Sequence, residues 1–518
     1  MRTLFSSLAL TIVFGMVFRP DAAFGQQAPP PPPPTTPVLL PITGVPPTGT
    51  VITNEETTPN GPAISGNTLN GTVQIQGVFG GSTPAGLATP EPLPLNLNDA
   101  IRRGIAFNLG VIGATNTELG ARAAQRSALS KLLPDVSGTI AAAEEKVSLA
   151  TLGLETAQNL PPGFQFGRVL GPFHFFEAGV LASQRIVDLT ALRNYRAAKD
   201  LTTATAAAAL NDRDLVVLAV GGSYLQAIAA AARIDSARAQ VETAQALYTQ
   251  AVRQNEAGVN AQIDVDRSQV EWQVQRLRLI SFQTDFATQK LTLGRMIGLP
   301  LGQEFTLTTM LQYQPAAQPS VQDALTTAFA NRADLKAADA QVRAADQARK
   351  AAKAQYLPGF AVNGGYFLAG ETPSQSNGTF SVFATVDFPI WTGGRIPADV
   401  AAADAAYNQR RAEYEDVRGR IDFEVRTAFL RLNATTEQMG VAESNRALAQ
   451  NTLRQARDRF AAGVADTIEV VQAQESVATS EQDYIASLYA LYLAKLSLAR
   501  ATGNTEAGIA TLLQQHVP

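Results

Sequence analysis

The chain has no cysteine in 518 residues and only two histidines, His174 and His516. Without thiols there is no disulfide framework, no thiolate nucleophile and no Cys-ligated zinc. Two isolated histidines cannot supply a histidine-rich metal centre. Charged residues make up 17%, below the roughly 25% usual for soluble proteins. The net charge of −4 offers no basic face for nucleic acid. No nucleophile–base pair or ligand cluster is legible, so the sequence predicts neither an enzyme nor a cofactor.

The first 25 residues read as a secretory signal. Arg2 is the positive start, Leu4 to Phe18 is uncharged and apolar, and Ala23 and Gly25 set cleavage after Gly25. Such a run is short for a membrane-spanning helix. Between Ala28 and Pro94 lie 16 of the 29 prolines, including Pro29 to Pro34, and only three charges, Glu55, Glu56 and Glu91. Low charge and dense proline predict a disordered linker over 26–94, extended at its start. Residues 504–518 read as a C-terminal tail.

The remainder is two copies of one design, 95–303 and 319–503. Asn96 with Asp99, and Ser320 with Asp323, form capping-box-like helix starts. Ala100 and Pro134, like Ala324 and Pro358, are separated by 34 positions, and each stretch ends in Leu-Pro. A second register, offset by 205, pairs Tyr224 with Phe429, Gly258 with Gly463, Gln269 with Gln474, and Gly298 with Gly503. The extra residues of the first copy fall to a longer loop around Thr151 to Gly171.

Proline is absent between Phe173 and Leu299 and between Ala398 and Val517. In these windows small residues recur at sevens, as Ala237, Ala244, Ala251 and as Ala442, Ala449, Ala456. That is close-packing heptad geometry. Long helices from about 187 to 257 and 397 to 461 would run roughly 105 and 95 Å at about 1.5 Å per residue. Segments 99–133, 263–297, 323–357 and 468–502 read as helices about half as long. Glycine in Ala257-Gly258-Val259 and Ala462-Gly463-Val464 suits the chain reversal after each long helix. The uncharged run Leu215 to Ala232 reads as a buried stretch of helix, because its partner in the second copy is charged.

Four strands separate short from long helices. Phe380, Val382, Ala384 and Val386 alternate with Thr379, Ser381 and Thr385, interrupted by Phe383. Phe360 to Leu368 and Phe176 to Ala182 alternate likewise, with Val136 to Ala142 a weaker fourth. Each is about the length of a tilted membrane strand, apolar out and polar in. Four strands cannot close a barrel, and open edges are not tolerated in lipid, so membrane strands would require several copies.

Over about 95 to 503 the chain resembles the TolC-type outer-membrane efflux family. The resemblance rests on the duplicated order of elements and on Phe388-Pro389-Ile390-Trp391-Thr392-Gly393-Gly394 between strand and long helix. Gln184-Arg185-Ile186-Val187-Asp188 stands at the equivalent place, and the Ala-Gly-Val turns lead to Ile263-Asp264-Val265 and Ile468-Glu469-Val470. The family implies a mainly α fold with a transmembrane β-barrel, in which a homotrimer forms a 12-stranded barrel above a periplasmic α-barrel. Implied partners are a periplasmic adaptor, an inner-membrane pump or secretion ATPase, and outer-membrane lipid.

The resemblance further implies that Gly258, Val259, Gly463 and Val464 form tips contacting the adaptor. Asp264, Asp266 and Glu469 would constrict the pore just beyond. Where a second acid often follows three residues later, this chain has Gln472 and Arg267. The rival reading is a non-channel periplasmic coiled-coil adaptor or scaffold, which would not require duplicated strands of alternating polarity.

Overall fold

A computed structural model describes residues 49–58, 68–148, 169–258, 261–309, 311, 313, 320–462, 464–465, 467–506 and 508. The signal segment, the residues 259 and 463, and most of the loop read at 151–171 and of the tail at 504–518 lie outside them. In chain order the elements begin with strands β1 (Gly49–Thr58), β2 (Thr68–Gly77) and β3 (Leu93–Leu95). Helices α1 (Leu97–Phe107) and α2 (Leu109–Ser130) precede strands β4 (Asp135–Ser148) and β5 (Val169–Val187). Then come α3 (Leu189–Glu256), α4 (Gln262–Met296) and strand β6 (Phe305–Leu307). The last part holds α5 (Val321–Asn331), α6 (Ala333–Ala354), β7 (Gly359–Gly370), β8 (Asn377–Asp387), α7 (Arg395–Ala461) and α8 (Thr467–Ala501).

The described residues fall into two compact units. The first comprises 122–200 and 343–408. Its sheet has the order β4-β5-β7-β8, antiparallel throughout. Period-2 alternation in the sequence becomes two unlike faces, because successive side chains of a strand point to opposite sides. Even-numbered Val136, Ile140, Val180, Tyr366, Leu368, Phe380, Val382 and Val386 are exposed. Most odd-numbered positions of β5, β7 and β8, such as Gly179, Leu181, Ser183, Phe367, Thr379 and Ser381, are sheltered.

The helical parts of this unit pack through alanine. Ala344, Ala345, Ala348, Ala351 and Ala352 of α6 are buried, as are Ala191 and Ala197 of α3 and Ala403 and Ala406 of α7. Small side chains let helix backbones approach closely. The Arg349 guanidinium lies 4.4 Å from the Tyr407 ring centre. Asp188 starts α3 as an N-cap, its Oδ1 accepting from the Ala191 amide at 2.8 Å.

The second unit comprises 42–121, 201–342 and 409–518. The capping expectations hold: Asn96 Oδ1 accepts from Asp99 N at 2.8 Å, and Ser320 Oγ accepts from Asp323 N at 3.1 Å. The apolar run of α3 is its centre, with Val216, Val217, Ala219, Val220 and Tyr224 fully buried. Among the described helices only α3 holds an 18-residue window apolar enough to cross a membrane, and 72% of that window is buried. The Tyr224 hydroxyl donates to the Leu95 carbonyl at 2.8 Å, fixing the short parallel pair β3–β6 beside it.

Two expectations need correcting. The segment 26–94 is not linker throughout, since β1 and β2 form an antiparallel hairpin. Val51, Val73, Ile75 and Val78 pack with buried Phe79 against the α3 core. Proline density hid a short alternation whose apolar side has helices to rest on. The half-length helices 99–133 and 323–357 are likewise not continuous. The first breaks between α1 and α2 at Asn108, the second between α5 and α6 at Arg332.

Both break residues are buried and polar, at 0% and 2% exposure. The Asn108 amide donates to the Phe79 and Met296 carbonyls at 2.8 and 3.3 Å, while its Oδ1 accepts from Gly110 N at 2.8 Å. It thus satisfies backbone groups that a helix end orphans. Arg332 instead binds Asp334 at 2.6 Å and also Glu424, and Arg500 reaches Glu424 at 3.1 Å. Burial works against ionising Asp334. The hydrogen bond and charge of Arg332, with Arg500 and Arg420 beyond, outweigh it and hold the carboxyl below its usual range.

Candidate functional site

The chain reversals that follow α3 and α7 collect the residues singled out in the sequence. Gly258 closes α3 with φ +74°, a left-handed conformation that costs other L-residues roughly 1–2 kcal/mol. Its amide donates to the Asn255 carbonyl at 2.9 Å. A side chain there would meet open space, so the requirement for glycine is conformational rather than steric. Val259 and Gly463 lie outside the described residues. Val464 is exposed, 67% of its surface being accessible.

The three acids stand in the opening turns of α4 and α8, where the helix dipole favours negative charge. Asp264 lies 3.7 Å from Arg267, one turn on. Asp266 accepts a hydrogen bond from Gln262 Nε2 at 2.9 Å. Glu469 lies 3.0 Å from Arg459, which belongs to the last turn of α7. Two of the three carboxylates therefore have an arginine partner within the same chain. Arg267, noted as a departure from the family pattern, supplies one of these partners; Arg459 was not visible from sequence.

Between the first turns of α4 and α8 lies a cavity of about 370 Å³. Its walls include the aliphatic Ile263, Val270, Ile468 and Val471, with Asp266, Arg267 and Glu271 also lining it. Thr467 Oγ1, also in the lining, is buried with no hydrogen-bond partner. Further along, Arg278 of α4 binds Glu475 of α8 through two hydrogen bonds at 2.8 and 2.7 Å. Tyr248 of α3 stacks on Trp272 of α4 with ring centres 5.6 Å apart. Heptad spacing located these helices, but ion-pair partners on separate helices leave no periodic mark.

Two features look outward for partners. On α4, Ile263, Val270, Leu277 and Leu291 are exposed and differ by multiples of seven, a helical stripe that the described residues leave largely uncovered. Phe423 and Leu430, then Val441 and Leu448, repeat that spacing on α7. Among the described residues of the first unit, β4 and β8 each pair on one side only. Their outer backbone groups remain available for pairing.

Residues 324–504 match the family model described as outer membrane efflux protein. The cation efflux system protein CusC of Escherichia coli K12 is 25% identical over 177 residues, covering 33% of this chain and 39% of its own. The pyoverdine export outer membrane protein OpmQ of Pseudomonas putida is 23% identical over 338 residues, 64% of this chain and 70% of its own. The solved CmeC outer membrane channel of Campylobacter jejuni superposes with a TM-score of 0.69 at 15% identity, covering 89% of this chain and 98% of that one. The match to CusC spans less than two-fifths of that relative. At 15% identity the likeness to CmeC is one of fold.

Proposed function

We propose that the chain, which matches the outer membrane efflux protein family over residues 324–504, is an outer-membrane protein with a periplasmic extension and that three copies of it form an export channel. Each copy contributes four strands to a 12-stranded barrel and its two duplicated halves to a helical periplasmic tunnel. The observation that carries this reading is the sheet with one apolar exposed face and two open edges. In lipid each unsatisfied backbone group costs several kcal/mol, so such a sheet is stable there only when closed. The heptad stripes of α4 and α7 support the same assembly, since a neighbouring copy would cover them.

In this channel Asp264, Asp266 and Glu469 line the narrow end of the tunnel, where three copies make rings of carboxylates that favour cations. Gly258, Val259, Gly463 and Val464 form the tips that meet a periplasmic adaptor, which links the channel to an inner-membrane pump or secretion ATPase. The channel carries out no covalent chemistry and needs no cofactor. The names of CusC and OpmQ point to different cargoes, a cation and a pyoverdine, and cargo choice belongs largely to the pump. A periplasmic scaffold, the rival reading, leaves the apolar sheet face without a purpose.

The test is the native mass of the protein extracted in detergent from separated membranes, followed by conductance in planar bilayers. A conducting trimer from the outer-membrane fraction is expected. A soluble periplasmic monomer or dimer would overturn the channel.

A further inference from the structure

The sheltered face of the sheet is not uniformly polar. Pairing register sorts its inward residues into four rungs, about 6.7 Å apart at two residues per step. In chain order of strands these are Ala141–Glu177–Ala369–Asn377, then Thr139–Gly179–Phe367–Thr379. Next come Ser137–Leu181–Gly365–Ser381 and Asp135–Ser183–Asn363–Phe383. Three consecutive rungs thus carry one large apolar side chain each, Phe367, Leu181 and Phe383. All three are half-buried. Glu177 stands one rung beyond Phe367, Asp135 shares a rung with Phe383, and none of these sixteen residues is basic; Arg185 of the next, three-stranded rung is held by Asp188 at 3.0 Å.

Part of this has a structural cause. A methyl group added at Gly179 or Gly365 would collide with the Phe367 ring, so that ring lies against the backbone and covers two glycines, as aromatics do in sheets. Leu181 flanks Gly365 from the other side, its Cδ2 lying 3.1 Å from where a methyl would stand. Phe383 has no such excuse. It sits opposite Asn363, at a position where its neighbours two residues away on β8, Ser381 and Thr385, are small and polar. It breaks the strand's alternation and covers no glycine.

We propose that Phe367, Leu181 and Phe383, with Glu177 and Asp135, form a binding stripe on the pore wall for organic cations with an apolar or aromatic body. The inference rests on the channel reading, in which the sheltered face lines the pore. Apolar surface that rests on the stripe leaves water, the phenyl faces attract a cation, and the flanking carboxylates favour positive over negative charge. Threefold assembly would place three stripes around the lumen. The barrel would then select among cargoes after the pump has done so.

The test uses the full chain in planar bilayers, with channel block by tetraphenylphosphonium compared with block by tetramethylammonium. In the unmodified protein, half-block by tetraphenylphosphonium is expected at a concentration at least about tenfold lower. Phe383→Ser should raise that concentration about three- to tenfold and leave tetramethylammonium unchanged, whereas Phe383→Tyr should keep the preference. Leu181→Ser, on another strand, should act in the same direction, and Glu177→Gln should weaken both cations. Conducting channels that tetraphenylphosphonium blocks no better than tetramethylammonium, or that respond identically with and without Phe383, would overturn the stripe. Absence of conductance in the unmodified protein would instead overturn the channel, and the stripe with it.

Discussion

Arg278 on α4 donates to both carboxylate oxygens of Glu475 on α8, Nη1 to Oε2 at 2.8 Å and Nη2 to Oε1 at 2.7 Å. The two residues are 197 positions apart, so the fork joins the two halves of the chain. Its planar geometry suits arginine and not lysine. Both side chains are a third or more exposed, and solvent screening limits the pair to about 0.5–1 kcal/mol. A double-mutant cycle with Arg278→Ala and Glu475→Ala, read by thermal unfolding, should return a coupling of that size. Arg278→Lys should lose most of it.

Asp334 gives a pH dependence with a defined sign. Its carboxyl is held below the usual range in the folded chain, so its contribution is complete above its unfolded value near pH 4. That contribution is lost as pH falls through the lowered folded value. Asp334→Asn leaves Arg332 with less compensation in a buried place and should cost about 2–4 kcal/mol at pH 7. Unfolding midpoints of the two proteins should be well separated at pH 7 and converge below about pH 4.

Gly222 lies on α3 where a methyl would collide with Val73 of the β1–β2 hairpin. Gly222→Val should therefore lift the hairpin from the helices. The hairpin is also held by Arg431 Nη1, which donates to the Thr53 carbonyl at 3.0 Å. Limited proteolysis checks this: cuts between β1 and β2 should appear several-fold faster in the variant, with the helical core still protected.

A charge placed in the α4 stripe should act on assembly and not on the fold of one copy. Leu277→Glu removes no buried contact, because 67% of the leucine is already exposed. The trimer fraction in detergent should fall while helix content by circular dichroism stays the same. A variant that remains fully trimeric would place the neighbouring copy elsewhere.

At the tips, Gly258→Ala should lower stability by about 1–2 kcal/mol through the backbone conformation alone. Neutralising Glu469 as Glu469→Gln should reduce cation preference in reversal-potential measurements, and should also release Arg459 from its 3.0 Å partner. Unchanged selectivity would move the constriction away from Glu469.

Much of the fold was legible because it is written locally. Alternation marked β5, β7 and β8, and two proline-free windows contained α3 with α4 and all but the first turn of α7 with α8. The Asn96–Asp99 and Ser320–Asp323 spacings marked two helix starts that the backbone hydrogen bonds bear out. The features missed depend on residues far apart in sequence. Asn108 breaks a helix through the Phe79 and Met296 carbonyls, the latter 188 positions away, and no proline marks the spot. The β1–β2 hairpin needs the α3 core beneath it. Of the tip residues, the acids were readable as types at helix starts, but the arginine facing Glu469 arrives from the preceding helix.

The joints at Asn108 and Arg332 divide two helices after the same number of residues, 11 in α1 and 11 in α5, yet they are filled by different chemistry. The first is closed by a neutral amide talking only to backbone, which neither acid nor salt can disturb. The second is closed by a knot of ions in which Arg332 holds the Asp334 carboxyl below its usual range. Acid therefore reaches the elbow at Arg332 and spares the one at Asn108.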